Sequence, residues 1–363
     1  MTTLIVDAHL DLAWNAIDWN RDLTRSITEV RKMETEPALA DHPARGKNTV
    51  TFPELRKGGI YVMIATLLAR LFRPHSKPPF IRYSSMEMAH AAARGQSEFY
   101  QVMEQKGILK RIDHGTALES FLENIAKEDN YSGPLGYILS MEGADPILSP
   151  EDLRSWYDLG LRIIGPAHYG VSPYAHGTGT VGGLFERGPI LLKEMERLGI
   201  ILDITHLSDQ CFDEALDIYS GPVLASHHNC RTLVPDQRQL SDPQIKRLIA
   251  RKAVIGVAFD AWMLYPNWVR GETTPQSAQV TLAKIVDHID HICQLSGNCD
   301  HVGIGSDLDG GFGKEQSPID LETIADLQKV LVLLKERGYS QEDVEKIASR
   351  NWIRFFLRSL PKK

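Results

Sequence analysis

Residues 200–228, IILDITHLSDQCFDEALDIYSGPVLASHH, carry the pattern that decides the fold. Residues 200–205 are mostly apolar with little alternation, as a strand buried on both faces of a parallel sheet reads. Ser208 stands where a helix N-cap belongs, ahead of a helical pattern over 208–219. A second apolar run, 222–226, follows, and the two runs lead into His206 and His227. Strand, helix and strand in succession predict a parallel pair with a helical crossover.

The same reading extends in both directions. Apolar runs at 3–8, 60–67, 136–141, 161–166, 253–258 and 301–305 bring the predicted strands to eight. Helical patterns lie at 84–106, after Ser241-Asp242-Pro243, and at 276–295, 318–337 and 340–358, the last capped by Ser340. Repeated β-then-α predicts a single α/β domain over 1–363, a (β/α)8 barrel of the TIM type, with a doubly wound open sheet as the alternative. Residues 12–58 are a Pro-containing insertion after the first strand, expected to cover part of the barrel mouth.

Composition narrows the function. With 363 residues, 43% hydrophobic and 24% charged, the chain has the size and make-up of a globular enzyme. A net charge of −7 and the absence of a basic stripe argue against a nucleic-acid partner. The Pro-rich basic stretch 69–82 reads as an exposed loop. Cys211, Cys230, Cys293 and Cys299 have no metal-type spacing and form no predicted disulfide framework. Neither a leader, a lipid anchor nor an apolar span of membrane length is read, so the expected location is cytoplasmic, without a membrane partner.

Ligand-type side chains gather where the apolar runs end. They are His9 and Asp11 in LIVDAHLDL (4–12), Glu142 in YILSMEG (137–143), His206, His227, and Asp307 in HVGIGSDLDG (301–310). Barrel enzymes draw their chemistry from the C-terminal ends of several strands, and mixed imidazole and carboxylate suit zinc or a similar divalent ion. His9 and Asp11, two apart, share a face of an extended strand. Spacing leaves open His227 against His228, and Asp307 against Asp309, as ligand or proton shuttle. Asp7 reads as an interior group, and His168 in IIGPAHYG (163–170) as a candidate for polarising a carbonyl. His288 and His291 belong to a packed helix.

Taken together these segments resemble the renal (membrane) dipeptidase family of binuclear zinc dipeptidases. DAHLDL (7–12) looks like its opening DGHNDL motif. FPELRKGG (52–59), MEG (141–143), DITHLS (203–208), SHHNCR (226–231), GIGSDLDG (303–310) and SRNWIRFF (349–356) follow in order. The resemblance implies two zinc ions, one held by His9 and Asp11 and the other by His206 and His227, with Glu142 bridging them. It further implies Asp307 as the proton-transfer group, His168 as a substrate contact that stabilises the tetrahedral intermediate, and Arg238, with Arg231 as competitor, as the binder of the substrate carboxylate. The implied reaction is hydrolysis of dipeptides, including those with a C-terminal D-residue, by hydroxide held between the zincs. A homodimer is the implied assembly.

This chain departs from the family pattern at Ala8, Leu10, Gln239 and AFDAWMLYPNW (258–268), so Asp260 and Trp262 are expected to line a different pocket. The alternatives are an amidohydrolase acting on N-acyl amino acids and a non-catalytic metal-binding protein.

Overall fold

The computed structural model describes residues 2–39, 41–72, 82–128 and 131–362. Nine strands follow in chain order: β1 (Ile5–Leu10), β2 (Ile60–Leu67), β3 (Leu109–Arg111), β4 (Leu135–Glu142), β5 (Leu161–Gly165), β6 (Ile201–Asp203), β7 (Val223–Leu224), β8 (Ile255–Val257) and β9 (Val302–Ile304). Every residue of β1, β4, β5, β6, β7, β8 and β9 is buried, as near-continuous apolar runs require. The fold class is α/β of the (β/α)8 barrel type, with eight strands on one hydrogen-bonded path and β3 paired to β4 beside it.

The chain divides into two compact units, Met1–Met63 with His227–Ile353, and Ile64–Ser226 with Arg354–Lys363; the division falls within β2. In the first unit β1, β9 and β8 are neighbours in that order, in parallel register Asp7 with Ile304 and Val257 with Ile304. In the second, β4 pairs with β5, β5 with β6 and β6 with β7, all parallel.

Helix starts follow the local capping chemistry. Ser208 accepts from the Cys211 backbone N–H at 3.1 Å and opens the helix Asp209–Ile218. Ser241 and Gln244 form a capping box before Asp242–Ala250.

Several expectations need correction. β3 was not expected, because a three-residue Leu-Lys-Arg strand with only Leu109 buried leaves no apolar run. The helix expected at 276–295 begins only at Ala283, since Gln279 takes a left-handed backbone, φ +50°. That expected at 318–337 starts at Ile324, where Thr323 and Asp326 form a capping box. The closing helix is broken by a π turn, Lys346–Arg350. Just beyond this turn Asn351 Nδ2 donates to Val302 O (2.8 Å) and Trp352 Nε1 to Ile304 O (3.0 Å), so both side chains reach β9. A Cβ on Gly303 would overlap Trp352 Nε1, so the strand must be bare there.

The insertion carries three short helices, Leu12–Ile17, Ile27–Met33 and Phe52–Lys57. Within it Arg21 donates from Nε to Glu34 Oε1 at 2.8 Å and from Nη1 to Asn15 Oδ1 at 2.7 Å, all three side chains being buried. Of the stretch 69–82, residues 73–81 lie outside those described.

Candidate functional site

In the first unit β1 runs into His9 and Asp11, both buried. His9 Nε2 lies 3.8 Å from Asp11 Oδ1 and 3.8 Å from Asp307 Oδ1. Donor atoms of His9, Asp11 and Asp307 all fall within 4.8 Å of one another. Asp307 is placed three residues past β9 by a left-handed backbone, φ +58°. Gly310 makes room for it, since a Cβ there would overlap Asp307 Oδ1.

Asp307 and Asp309, equivalent by spacing, have different surroundings. The Asp309 carboxylate is buried and accepts from Thr49 N (2.7 Å), Thr49 Oγ1 (2.8 Å) and Val50 N (3.0 Å), with Arg21 Nη1 3.7 Å away. It is a clamp on the insertion, whereas the Asp307 side chain keeps 15% exposure. Asp7 is interior: its Oδ1 accepts from His9 N and Ser306 N, stitching β1 to the end of β9. Burial raises the Asp7 and Asp309 carboxyls above their ordinary range.

The His227 ring lies against that of His9, with centroids 3.8 Å apart and the planes tilted by 41°. His228 pairs instead with β8 through its backbone N–H to Gly256 O (2.7 Å). Burial, reinforced by Arg238, holds the His228 imidazole well below its usual value. The two arginines of this segment are equally distinct. Arg238 is buried and donates from Nη2 to His227 O at 2.9 Å. Arg231 is spent on its own loop, donating to the carbonyls of Asp236, Gln239 and Gln237.

In the second unit Glu142 is the last residue of β4, and Gly143 turns the chain after it with φ +80°. Glu142 Oε1 lies 3.1 Å from His206 Nε2 and 3.6 Å from His168 Nε2. The two imidazoles meet edge to face, centroids 4.2 Å apart, and the three donor atoms lie within 4.8 Å of one another. His206 has φ +69°, which ends the strand-like run and turns its ring.

Both groups have the chemistry of a divalent-cation site. One offers two carboxylates and an imidazole, the other a carboxylate and two imidazoles. Buried carboxylates are costly unless a cation compensates them, and zinc takes this mixture of nitrogen and oxygen donors.

Three supporting residues gave no sequence signal. Thr178 Oγ1 lies 3.0 Å from His206 Nδ1 and donates to His206 O, fixing the ring from a distant loop. Asn15 Nδ2 donates to Asp11 O (3.0 Å) and Asp309 O (2.9 Å), tying two strand ends together. Arg70 departs from the exposed-loop reading of its stretch: it donates to Tyr169 O at 2.6 Å, and burial, with Arg82 adding to it, pushes its guanidinium down to about 10.

Residues 1–359 match the model of the membrane dipeptidase family, peptidase family M19. Dipeptidase tcpJ of Claviceps purpurea is 31% identical over 228 residues, 61% of this chain and 51% of that protein. The uncharacterized dipeptidase C3A11.10c of Schizosaccharomyces pombe is 31% identical over 233 residues, 63% and 54%. The matched region spans about half the length of these curated relatives. Among solved structures, dipeptidase AC, a metallopeptidase of family M19, superposes with TM-score 0.78 at 23% identity, covering 99% of both chains. A metallopeptidase of Rhodobacter sphaeroides, liganded with a phosphinate mimic of L-Ala-D-Ala, gives 0.78 at 23% over 99% and 100%. At this identity the structural likeness speaks for the fold.

Proposed function

The chain belongs to the membrane dipeptidase family, peptidase family M19, and from that premise we propose that it is a metal-dependent dipeptidase using two divalent ions, zinc by the donor set. The observation that carries the reading is the convergence, at strand ends, of His9, Asp11 and Asp307 in one unit and of Glu142, His168 and His206 in the other. His9, Asp11, Glu142, His206 and His227 would hold the ions, with Glu142 shared between them as the family resemblance implies.

When bound, the ions supply Lewis-acid activation of water and of the scissile carbonyl. The chain's own residues do the rest. Asp307, the partly exposed member of its group, accepts the proton of the attacking water and returns it to the leaving amine. His168, with 13% side-chain exposure against 3% for His206, is the imidazole open to substrate, and its N–H donates to the developing oxyanion. Arg238 presents a planar fork that pairs with a terminal carboxylate through two parallel hydrogen bonds. A buried receptor for that carboxylate would select short substrates with a free C-terminus.

The Rhodobacter sphaeroides neighbour holds a mimic of an L,D-dipeptide, which supports including a C-terminal D-residue among the substrates of this chain. No helix among the described residues is long and apolar enough to cross a membrane. The four cysteines are buried and unbridged, which supports the cytoplasm as the working compartment. The homodimer is proposed on the family resemblance, with sedimentation velocity as its measurement.

The test is amino-acid release from L,L- and L,D-dipeptides by chelator-stripped protein with and without added zinc. Zinc-dependent release is expected. Release only from N-acyl amino acids would replace the dipeptidase reading by the amidohydrolase one.

A further inference from the structure

A buried carboxylate stands beside the site without a role in the chemistry above. Asp260 lies three residues past β8, as Asp307 lies three past β9, and the two strands are in register at Val257 and Ile304. Phe259 N donates to Ser306 O at 3.0 Å, so the strand ends stay joined up to the residues just before the two aspartates. On the other side of β8 runs the segment that carries His227, held by His228 N to Gly256 O. Asn229 Nδ2 donates to Ala258 O (3.1 Å), and Gln239 Nε2 to Met263 O (2.9 Å). The loop 258–263 is therefore pinned between the residues bearing His227 and Arg238 and those bearing Asp307.

Within that loop the Asp260 side chain is oriented. Its Oδ1 accepts from Gln316 Nε2 at 2.8 Å and from the Trp262 backbone N–H at 3.4 Å. In the same loop Ala258, Trp262 and Met263 form an apolar cluster, with Trp268 packed against them. Arg270 lies over the Trp262 ring, 4.9 Å from its centroid, and acts on the carboxylate through its charge. Asp260 is 7% exposed, yet no basic side chain among the described residues forms an ion pair with it. Burial pushes its carboxyl up to about 7. A carboxylate in such a place is costly unless a cation arrives to pair with it.

We propose that Asp260 is a specificity-determining residue, a receptor for a positively charged amino group of the substrate. Gln316 holds the carboxylate in orientation, and the Trp262–Met263 wall covers the carbon atoms next to that amino group. The inference rests on the dipeptidase reading for the identity of the substrate, but not for the existence of the subsite. The amino group has two possible sources, the α-ammonium of the first residue or a lysyl side chain.

The experiment compares zinc-loaded wild type with Asp260→Asn. The substitution keeps an acceptor for Gln316 and removes only the charge; matching thermal melts and metal content establish that it folds. Turnover and calorimetric binding are both measured with Ala-Ala, N-acetyl-Ala-Ala, Lys-Ala and Nle-Ala. A lost charged hydrogen bond corresponds to about a 10- to 100-fold fall. If the α-ammonium is the ligand, every free dipeptide falls by that factor and N-acetyl-Ala-Ala does not. If the lysyl side chain is the ligand, Lys-Ala falls and Nle-Ala and Ala-Ala do not. Turnover and binding unchanged within about 2-fold for every substrate would overturn the proposal. Wild type that binds free dipeptides through Asp260 but cleaves none would refute the dipeptidase reading and leave the subsite standing.

Discussion

Replacing Arg21 by Met should damage both stability and metal binding, and the structure sets the size of each effect. Arg21 and Glu34 form an ion pair whose side chains are 0% and 2% exposed. Arg21 donates to both Glu34 oxygens, at 2.8 and 3.3 Å, and to Ala44 O and Asn15 Oδ1. Removing one partner of a buried pair costs about 3–5 kcal/mol. Glu34 retains Arg45 Nη1 at 2.9 Å and Gly46 N at 2.8 Å, so the lower end, about 3 kcal/mol, applies. With an unfolding entropy of about 2.1 cal/mol/K per residue, 363 residues give roughly 0.8 kcal/mol/K, and Tm should fall by about 4 °C.

The second effect runs through Asn15, which loses the Arg21 donor that orients the amide on Asp11 O and Asp309 O. Loss of such an outer contact costs about 10- to 100-fold in metal affinity or activity. Thermal melts, urea titration and zinc competition with a chelator measure both effects. Burial pushes the Glu34 carboxyl up, but Arg21, with the Gly46 N–H and Arg45, outweighs this and holds it below its ordinary value. Its contribution is therefore present above the unfolded carboxylate pKa and lost as pH falls through the folded one. Arg21→Met should shrink that acid-side dependence. A Tm loss under about 1 °C together with wild-type zinc affinity would refute the reasoning.

Four further outcomes are expected. Glu142→Gln should lower occupancy at both metal positions, read by metal analysis after dialysis; full occupancy and full activity would remove the bridging assignment. Arg238→Ala should raise KM for substrates with a free carboxylate by about 10- to 100-fold, with the smaller change in kcat. Arg231→Ala should disturb only its loop, and the reverse pattern would exchange the two assignments. Burial holds buried His288 at about 3, against an ordinary 6.5, while its Nδ1 accepts from Cys230 N. The unfolded chain takes up that proton first, so this contribution is complete above about 6.5 and is lost as pH falls toward 3, by up to about 1.4 kcal/mol per pH unit. His288→Gln should flatten the acid limb of a urea-stability profile, and an unchanged slope would count against the buried neutral imidazole.

Much of this protein could be read locally. A strand buried on both faces must be apolar throughout, so eight strands announced themselves, and the polar residues at their ends stood out by contrast. Capping at Ser208 and Ser241 was legible for the same reason, since a cap contacts a neighbour two or three residues away. The short strand Leu109–Arg111 and the π turn before Asn351 were not legible, because one is defined by its partner strand and the other by the reach of Asn351 and Trp352 to β9.

Pairs that look equivalent along the chain were separated only in three dimensions. Asp309 differs from Asp307 because Thr49 and Val50, some 260 residues earlier, claim its oxygens. His227 differs from His228 because His9 lies on one side and β8 on the other. Arg238 differs from Arg231 because one reaches His227 and the other closes its own loop. The sequence by itself determined which segments bury and which chemical groups end them, since both follow from the period and polarity of neighbours. Only the tertiary structure decided which of two like groups has a partner and which keeps some exposure, because those partners come from segments whose nearness no local pattern encodes.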